Sequence, residues 1–214
     1  MAKMIAFSGT HSTGKSTTIN DLKSVQDFYV DDFKVSRSVQ KKFGYSTLEE
    51  AYETPEQLIE FQMEILGQKV DHDGELLDNP RLKNKTIIVE RSLFDVAAYT
   101  HLWVKKVLSS ERSWHLPSEY REELRLWTDA FTKKCLIMQS QLYSGVALFL
   151  INDGVIFEQD ANRAGYDSRQ WIQDEILMLS TSLLGPPIKM ISYSERAYRV
   201  TQIKNFAKDL HHAK

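Results

Sequence analysis

Eight residues near the start of the chain, Gly9-Thr10-His11-Ser12-Thr13-Gly14-Lys15-Ser16, limit its fold more than anything else in the sequence. They satisfy the spacing G-x-x-x-x-G-K-[ST] in full. They directly follow a short apolar run, Met4-Ile5-Ala6-Phe7-Ser8, that reads as a buried strand. They precede a segment with Ile19, Leu22 and Val25 at helical spacing. Strand, glycine loop and helix in that order build an anion nest. The two glycines let the backbone turn its N–H groups inward, and a helix starting near Lys15 points its positive end at the same place. Lys15 is then placed to reach the β and γ oxygens of a nucleoside triphosphate. The Ser16 hydroxyl is a ligand for Mg²⁺, and Thr17 donates near the α-phosphate. The expected nucleotide-binding residues are therefore Gly9, Thr10, His11, Ser12, Thr13, Gly14, Lys15, Ser16 and Thr17. His11 is either a further phosphate contact or a solvated loop histidine.

The rest of the chain alternates short apolar runs with longer amphipathic segments. Strands are expected at Phe28 to Val35, Thr86 to Glu90, Val146 to Ile151 and Ile188 to Ser192. Continuous apolar strands separated by helices imply a sheet covered on both faces. The fold class is thus α/β in three layers, with a mainly parallel sheet of about five strands. Thr54-Pro55-Glu56-Gln57 is a capping box, and Leu58, Phe61, Ile65 and Leu66 behind it form one apolar stripe. Asp167 or Ser168 is the expected cap of a helix through Trp171, Ile172, Ile176 and Leu179. Tyr99, Leu102, Trp103 and Trp127 sit at helical spacings and read as core, and His211-His212 reads as a mobile tail. The polar stretch 152–170 between a strand and a helix suits a helical lid.

A length of 214 residues fits a single domain, 1–214, with no convincing internal boundary. Lys plus Arg number 27 against 29 Asp plus Glu, a balance that argues against a general nucleic-acid coat protein or a polybasic membrane binder. The single cysteine, Cys135, excludes an intrachain disulfide and a cysteine-only zinc site. The expected location is cytoplasmic. The opening residues lack a signal-peptide core, and no apolar stretch reaches the roughly 18 residues of a membrane span.

Glu90-Arg91-Ser92 stands at the carboxyl end of the Ile87-Ile88-Val89 strand, where ligands of open parallel sheets bind. A carboxylate there holds a magnesium-bound water or accepts a proton from an attacking hydroxyl. Arg91 pairs with that carboxylate or with substrate phosphate. Asp95, one turn further on, is a candidate helix cap. Gln62 falls on the apolar stripe, where its amide needs a partner.

The phosphate loop followed by a strand ending Glu90-Arg91-Ser92, with Phe61-Gln62 between them, resembles the deoxyribonucleoside kinase and thymidylate kinase group. The order Leu148 to Asp153, Phe157 to Arg163, Arg169 and Ser192-Tyr193-Ser194-Glu195-Arg196 resembles the ribosylnicotinamide kinase domain of bifunctional NAD-biosynthesis regulators. Both lie within the wider family of P-loop kinases. The likeness departs at Asp160-Ala161, where the family has Asp-Gly, and at Val35-Ser36-Arg37-Ser38, which keeps an arginine without a nearby glutamate.

The resemblance implies a P-loop NTPase fold that uses ATP and Mg²⁺. The residues expected at the chemistry are Lys15, Glu90, Arg91 and the lid cations Arg163 and Arg169, with Ser16 and Glu90 serving the metal. Arg37, Phe61, Gln62 and Arg91 are expected on the acceptor, with Gln62 hydrogen-bonded to a base and Phe61 stacked on it. Arg196 is expected against the adenine ring. The function this predicts is an ATP-dependent phosphotransferase, a kinase acting on a small nucleoside or nucleoside monophosphate. One alternative is a kinase of a polynucleotide end or of a hydroxymethyl base in DNA. The other is a nucleotide-binding regulatory ATPase, although Asn84-Lys85-Thr86 lacks the aspartate of a guanine-reading loop. The expected partner is the small acceptor, with nucleic acid as the alternative and a homodimer possible.

Overall fold

The computed structural model describes residues 2–109, 117–152, 166–181, 185–192 and 195–212. Five strands, β1 (Lys3–Ser8), β2 (Phe28–Asp31), β3 (Thr86–Glu90), β4 (Gly145–Phe149) and β5 (Ile188–Ile191), form one sheet in the order β2-β3-β1-β4-β5. Every neighbouring pair is parallel. The helices are α1 (Lys15–Leu22), α2 (Val35–Phe43), α3 (Pro55–Asp78), α4 (Leu93–Ser109), α5 (Ser118–Leu142), α6 (Tyr166–Ser180) and α7 (Arg196–His212).

The two-residue period of the strands sorts the apolar side chains into two cores. Met4, Ala6, Ile87, Val89, Val146 and Leu148 pack on one face against Leu66, Phe94, Phe131 and Ile172 of α3 to α6. Ile5, Phe7, Ile88, Ala147 and Phe149 pack on the other against Ile19 and Leu22 of α1 and Ile203, Phe206 and Leu210 of α7. Both faces are dry, which is why these strands read as unbroken apolar runs. The result is the expected three-layer α/β fold, with the glycine loop at the carboxyl end of the central strand.

Local signals explain the helix starts. Thr54 Oγ1 accepts from Gln57 N at 3.3 Å and Gln57 Oε1 accepts from Thr54 N at 3.1 Å, with Pro55 at the first helical position of α3. Such a box contributes about 1 kcal/mol. Ser92 and Asp95 do the same for α4: Asp95 Oδ2 accepts from Ser92 N at 3.0 Å, and Ser92 Oγ faces Asp95 N at 3.4 Å. Within α3, Lys69 and Asp73 form a fully buried pair, Nζ to Oδ1 2.9 Å, and the Tyr143 hydroxyl donates to Asp73 Oδ2 at 2.6 Å. That pair ties the long helix to the start of β4.

Four boundaries differ from the sequence reading. The strand expected over Phe28 to Val35 stops at Asp31, and α2 begins at Val35, so Arg37 lies in a helical first turn. The Val146 to Ile151 run is a strand only from Gly145 to Phe149. Helix α6 already starts at Tyr166, which puts Asp167 and Ser168 inside its first turn rather than at its cap. His211 is not in a mobile tail; it belongs to the last turn of α7, and its Nε2 lies 3.1 Å from Thr86 Oγ1. Most of the 152–170 stretch read as a lid lies outside the described residues. No described helix is long and apolar enough to cross a membrane.

Candidate nucleotide and acceptor site

The site is built on the turn between β1 and α1. Gly9 and Gly14 hold φ values of 128° and 88°, in the region that disfavours a side chain. Both are also crowded: a Cβ on Gly9 would overlap the Phe149 carbonyl, and one on Gly14 would overlap the Arg199 guanidinium. Helix α1 starts with no side-chain cap and no acidic residue in its first turn. Its first N–H groups and its dipole are thus left for an anion.

Four basic side chains grip the carbonyls of this loop. Lys15, 4 % exposed, donates to Gly9 O at 2.6 Å and to Thr10 O at 2.5 Å. Arg91 Nη1 donates to Gly9 O at 2.8 Å. Arg169, from α6, donates through Nε to His11 O at 3.3 Å and through Nη2 to Ser12 O at 2.5 Å. Arg199, from α7, donates through Nη1 to Gly14 O at 3.2 Å. Cations on the carbonyl side hold the loop open toward the opposite side and raise the local potential for phosphate.

Asp95 completes the clamp. Its Oδ1 accepts from Gly9 N at 3.1 Å and from Arg91 Nη1 at 2.9 Å, so Asp95 and Arg91 bracket the Gly9 peptide from both ends. Its Oδ2 accepts from the Ser92 hydroxyl at 2.8 Å as well as from Ser92 N. Arg91 itself has a φ of 67° and sits 5.1 Å from the Tyr99 ring centroid. A non-glycine residue in that conformation marks a backbone held in place by its surroundings.

Beside the loop opens a cavity of about 330 Å³, lined at one end by residues 11–17. Glu90, Arg91, Lys34 and Arg37 also line it, together with Phe33, Tyr52, Gln62, Trp103 and Tyr99, whose hydroxyl lies 3.5 Å from His11 Nδ1 of the loop. Glu90 is 8 % exposed and forms an ion pair with Lys34. The Lys34 ammonium is pulled below its ordinary range, first by burial and then by the charge of Arg91. Tyr52 and Trp103 stack at 3.9 Å between ring centroids. Gln62 Nε2 donates to the Tyr52 hydroxyl at 3.2 Å, and the Thr100 hydroxyl lies 3.0 Å from Gln62 Oε1. Burial pushes the Tyr52 hydroxyl far above its ordinary range, so it stays a neutral partner for the amide. Ser16 and Glu90 face the same cavity, and a hydroxyl with a carboxylate is an oxygen donor set that suits Mg²⁺.

Most expected residues converge here: the whole loop from His11 to Thr17, together with Arg37, Gln62, Glu90 and Arg91. Arg169 arrives through the loop carbonyls. Phe61 is corrected, Arg196 lies outside this cavity, and of the two readings of His11 the solvated one falls. Phe61 does not reach the cavity; it is fully buried among Phe43, Tyr45 and Tyr52, because its stripe position points into the core. Arg196, expected against the adenine ring, is not in the cavity lining; its guanidinium is tied to Asp21 of α1 and is largely exposed. His11 is buried rather than solvated, with Nδ1 3.5 Å from the Tyr99 hydroxyl. Arg163 lies outside the described residues. Tyr99 and Trp103, read as core alone, also form cavity wall. Lys34 and Arg199 were missed. The only signal for Arg199 was its place one turn after Arg196 on the same helix face.

A parallel five-stranded sheet carrying this loop at the carboxyl end of its central strand defines a nucleotide-binding domain of the P-loop NTPase type. The chain belongs to the family described as the AAA domain, whose model matches residues 4–196. No curated protein matches it.

Proposed function

We propose that the protein is an ATP- and Mg²⁺-dependent phosphotransferase, a kinase that moves the γ-phosphoryl group to a small nucleoside or nucleoside monophosphate. The observation that supports this is the cavity itself. It is lined by the phosphate loop, by Glu90 and the basic residues Lys34, Arg37 and Arg91, and by aromatic rings and the Gln62 amide. Simple hydrolysis needs room for one water at the γ-phosphate. A cavity of this volume that joins the loop to aromatic side chains and a fixed amide suits a planar base as well.

In this reading Lys15 leaves the Gly9 and Thr10 carbonyls for the β and γ oxygens of ATP. Arg169 and Arg199 keep the loop in register, and the lid cation Arg163 would add to the charge stabilisation. Ser16 and Glu90 would hold Mg²⁺, which when bound would supply Lewis-acid neutralisation of phosphate charge. Glu90 serves either that shell or as the base for an acceptor hydroxyl. Arg91, clamped to Asp95, orients the loop and the acceptor-facing edge of the site. Gln62 and the Tyr52–Trp103 pair face the base.

Acceptor-dependent ADP formation tests this, with nucleosides, nucleoside monophosphates, 5′-hydroxyl oligonucleotides and hydroxymethylated DNA as acceptors. Turnover with a small acceptor is expected. Transfer to DNA alone, falling steeply with salt, would favour the polynucleotide reading. ADP release that no acceptor changes would mean a regulatory ATPase.

A further inference from the structure

We propose that the acceptor is a phosphomonoester, a nucleoside monophosphate rather than a free nucleoside, and that Arg37 and Lys34 hold its phosphate. This rests on the phosphotransferase reading above and narrows it.

Charge is the first argument. The cavity is lined by four basic side chains, Lys15, Lys34, Arg37 and Arg91, against two carboxylates, Glu90 and Asp95. Lys15 belongs to the donor loop. Arg91 and Asp95 satisfy each other around Gly9. Glu90 answers Lys34. Arg37 is left with no counter-ion among the described residues. Lys34 and Arg37 share this wall with Arg91, so three cations stand here beside the Glu90 carboxylate. The acceptor side therefore holds surplus positive charge that a dianionic group would relieve.

The second argument is the proton. A hydroxyl acceptor must lose a proton as it attacks, and a carboxylate must be open to take it. Both oxygens of Asp95 are committed, to Gly9, Arg91 and Ser92. Glu90 has Oε2 paired with Lys34, so its basicity is lowered by that cation. A phosphomonoester has a second pKa of about 6 and arrives ionised near neutral pH. One of its oxygens forms the new bond to the γ-phosphorus, the bond from that phosphorus to the β–γ bridging oxygen breaks, and the electron pair leaves on ADP. No proton has to move, so this acceptor does not call on Glu90 as a base and leaves it to the metal shell.

Position is the third. Lys34 and Arg37 are one helical turn apart at the start of α2, and both line the same cavity as Glu90, the phosphate loop, Tyr52, Trp103 and Gln62. A ligand with its ring against Tyr52, Trp103 and Gln62 has these two cations in the same cavity for its phosphate.

The test is initial rates at saturating ATP with AMP, CMP, GMP and dTMP, each beside its nucleoside, with products identified by ³¹P NMR. At least one monophosphate is expected to exceed its nucleoside in kcat/KM by about a hundredfold, giving a diphosphate. Arg37→Ala should raise the KM for that monophosphate about tenfold or more while the KM for ATP moves less than about twofold, and Arg37→Lys should recover part of the loss. A nucleoside used as well as its monophosphate would overturn the proposal and leave the kinase reading standing. So would an Arg37→Ala variant that loses kcat with KM unchanged. Turnover with no acceptor at all would refute the phosphotransferase reading beneath it. Calorimetry without ATP decides the acceptor independently of turnover. The monophosphate should bind the wild-type protein at least about tenfold more tightly than its nucleoside, and equal affinities contradict the assignment.

Discussion

Gly14→Ala isolates what holds the phosphate loop. The substitution does two separable things. It forces a residue with a side chain into a backbone at φ 88°, and it puts a Cβ where Arg199 Nη1 now sits, displacing the guanidinium from Gly14 O. The left-handed backbone costs about 1–2 kcal/mol. The lost charged hydrogen bond from a side chain only 3 % exposed costs about 1.5–3 kcal/mol more. In the wild-type background the expected loss is therefore about 2.5–5 kcal/mol. In an Arg199→Ala background the second part is already gone, and Gly14→Ala should cost only the backbone increment of about 1–2 kcal/mol. Urea unfolding of the four proteins without nucleotide closes this double-mutant cycle. A Gly14→Ala cost equal in both backgrounds to within about 0.5 kcal/mol would show that Arg199 does not anchor the loop.

Other expectations follow from single contacts. Lys69→Met leaves Asp73 buried with only the Tyr143 hydroxyl, and chemical denaturation should show a loss of about 3–5 kcal/mol; a loss below about 1 kcal/mol contradicts a dry pair. Burial pushes the Cys135 thiol up to about 12, so iodoacetamide at pH 8 should leave the native protein unlabelled by intact mass and label it in urea. Native labelling as fast as in urea would contradict that burial. The hydrogen bond from Arg196 holds the Asp21 carboxyl below its ordinary range. Its small stabilisation is therefore present above the unfolded carboxylate range and is lost as pH falls through the lowered folded value. Asp21→Asn should be the less stable protein at neutral pH, and its curve should meet that of the wild type in strong acid; a gap that persists there assigns the difference to something other than this pair.

How far these contacts were legible depended on their range. The loop was readable because strand, glycines, lysine and helix are contiguous, and each residue type has one physical reason to be there. Glu90 was readable because the tip of a parallel strand faces the ligand whatever surrounds it. Gln62 stood out as an amide on an apolar stripe. Phe61, its neighbour, was misplaced because adjacent helical positions point about 100° apart, and only packing against Phe43, Tyr45 and Tyr52 decides which one faces the cavity. Lys34 was absorbed into an expected strand that ends three residues earlier, at Asp31. Arg196 was preferred to Arg199 although both share a face of α7, since nothing local tells which one meets Asp21 and which meets Gly14. Asp95 was read as a cap; it stands in the first turn of α4 and closes a capping box with Ser92. Its second oxygen, on Gly9 and Arg91, depends on β1 and β3 lying side by side in the sheet.

The central claim is that residues 9–16 form a triphosphate nest whose lysine is parked on the loop's own carbonyls. A crystal structure of the full chain with Mg²⁺ and a non-hydrolysable ATP analogue tests it most directly. Lys15 Nζ should have left Gly9 O and Thr10 O for the β and γ oxygens, with Arg169 and Arg199 still on the carbonyls of Ser12 and Gly14. An analogue bound elsewhere, with Lys15 unmoved from those carbonyls, would contradict the account.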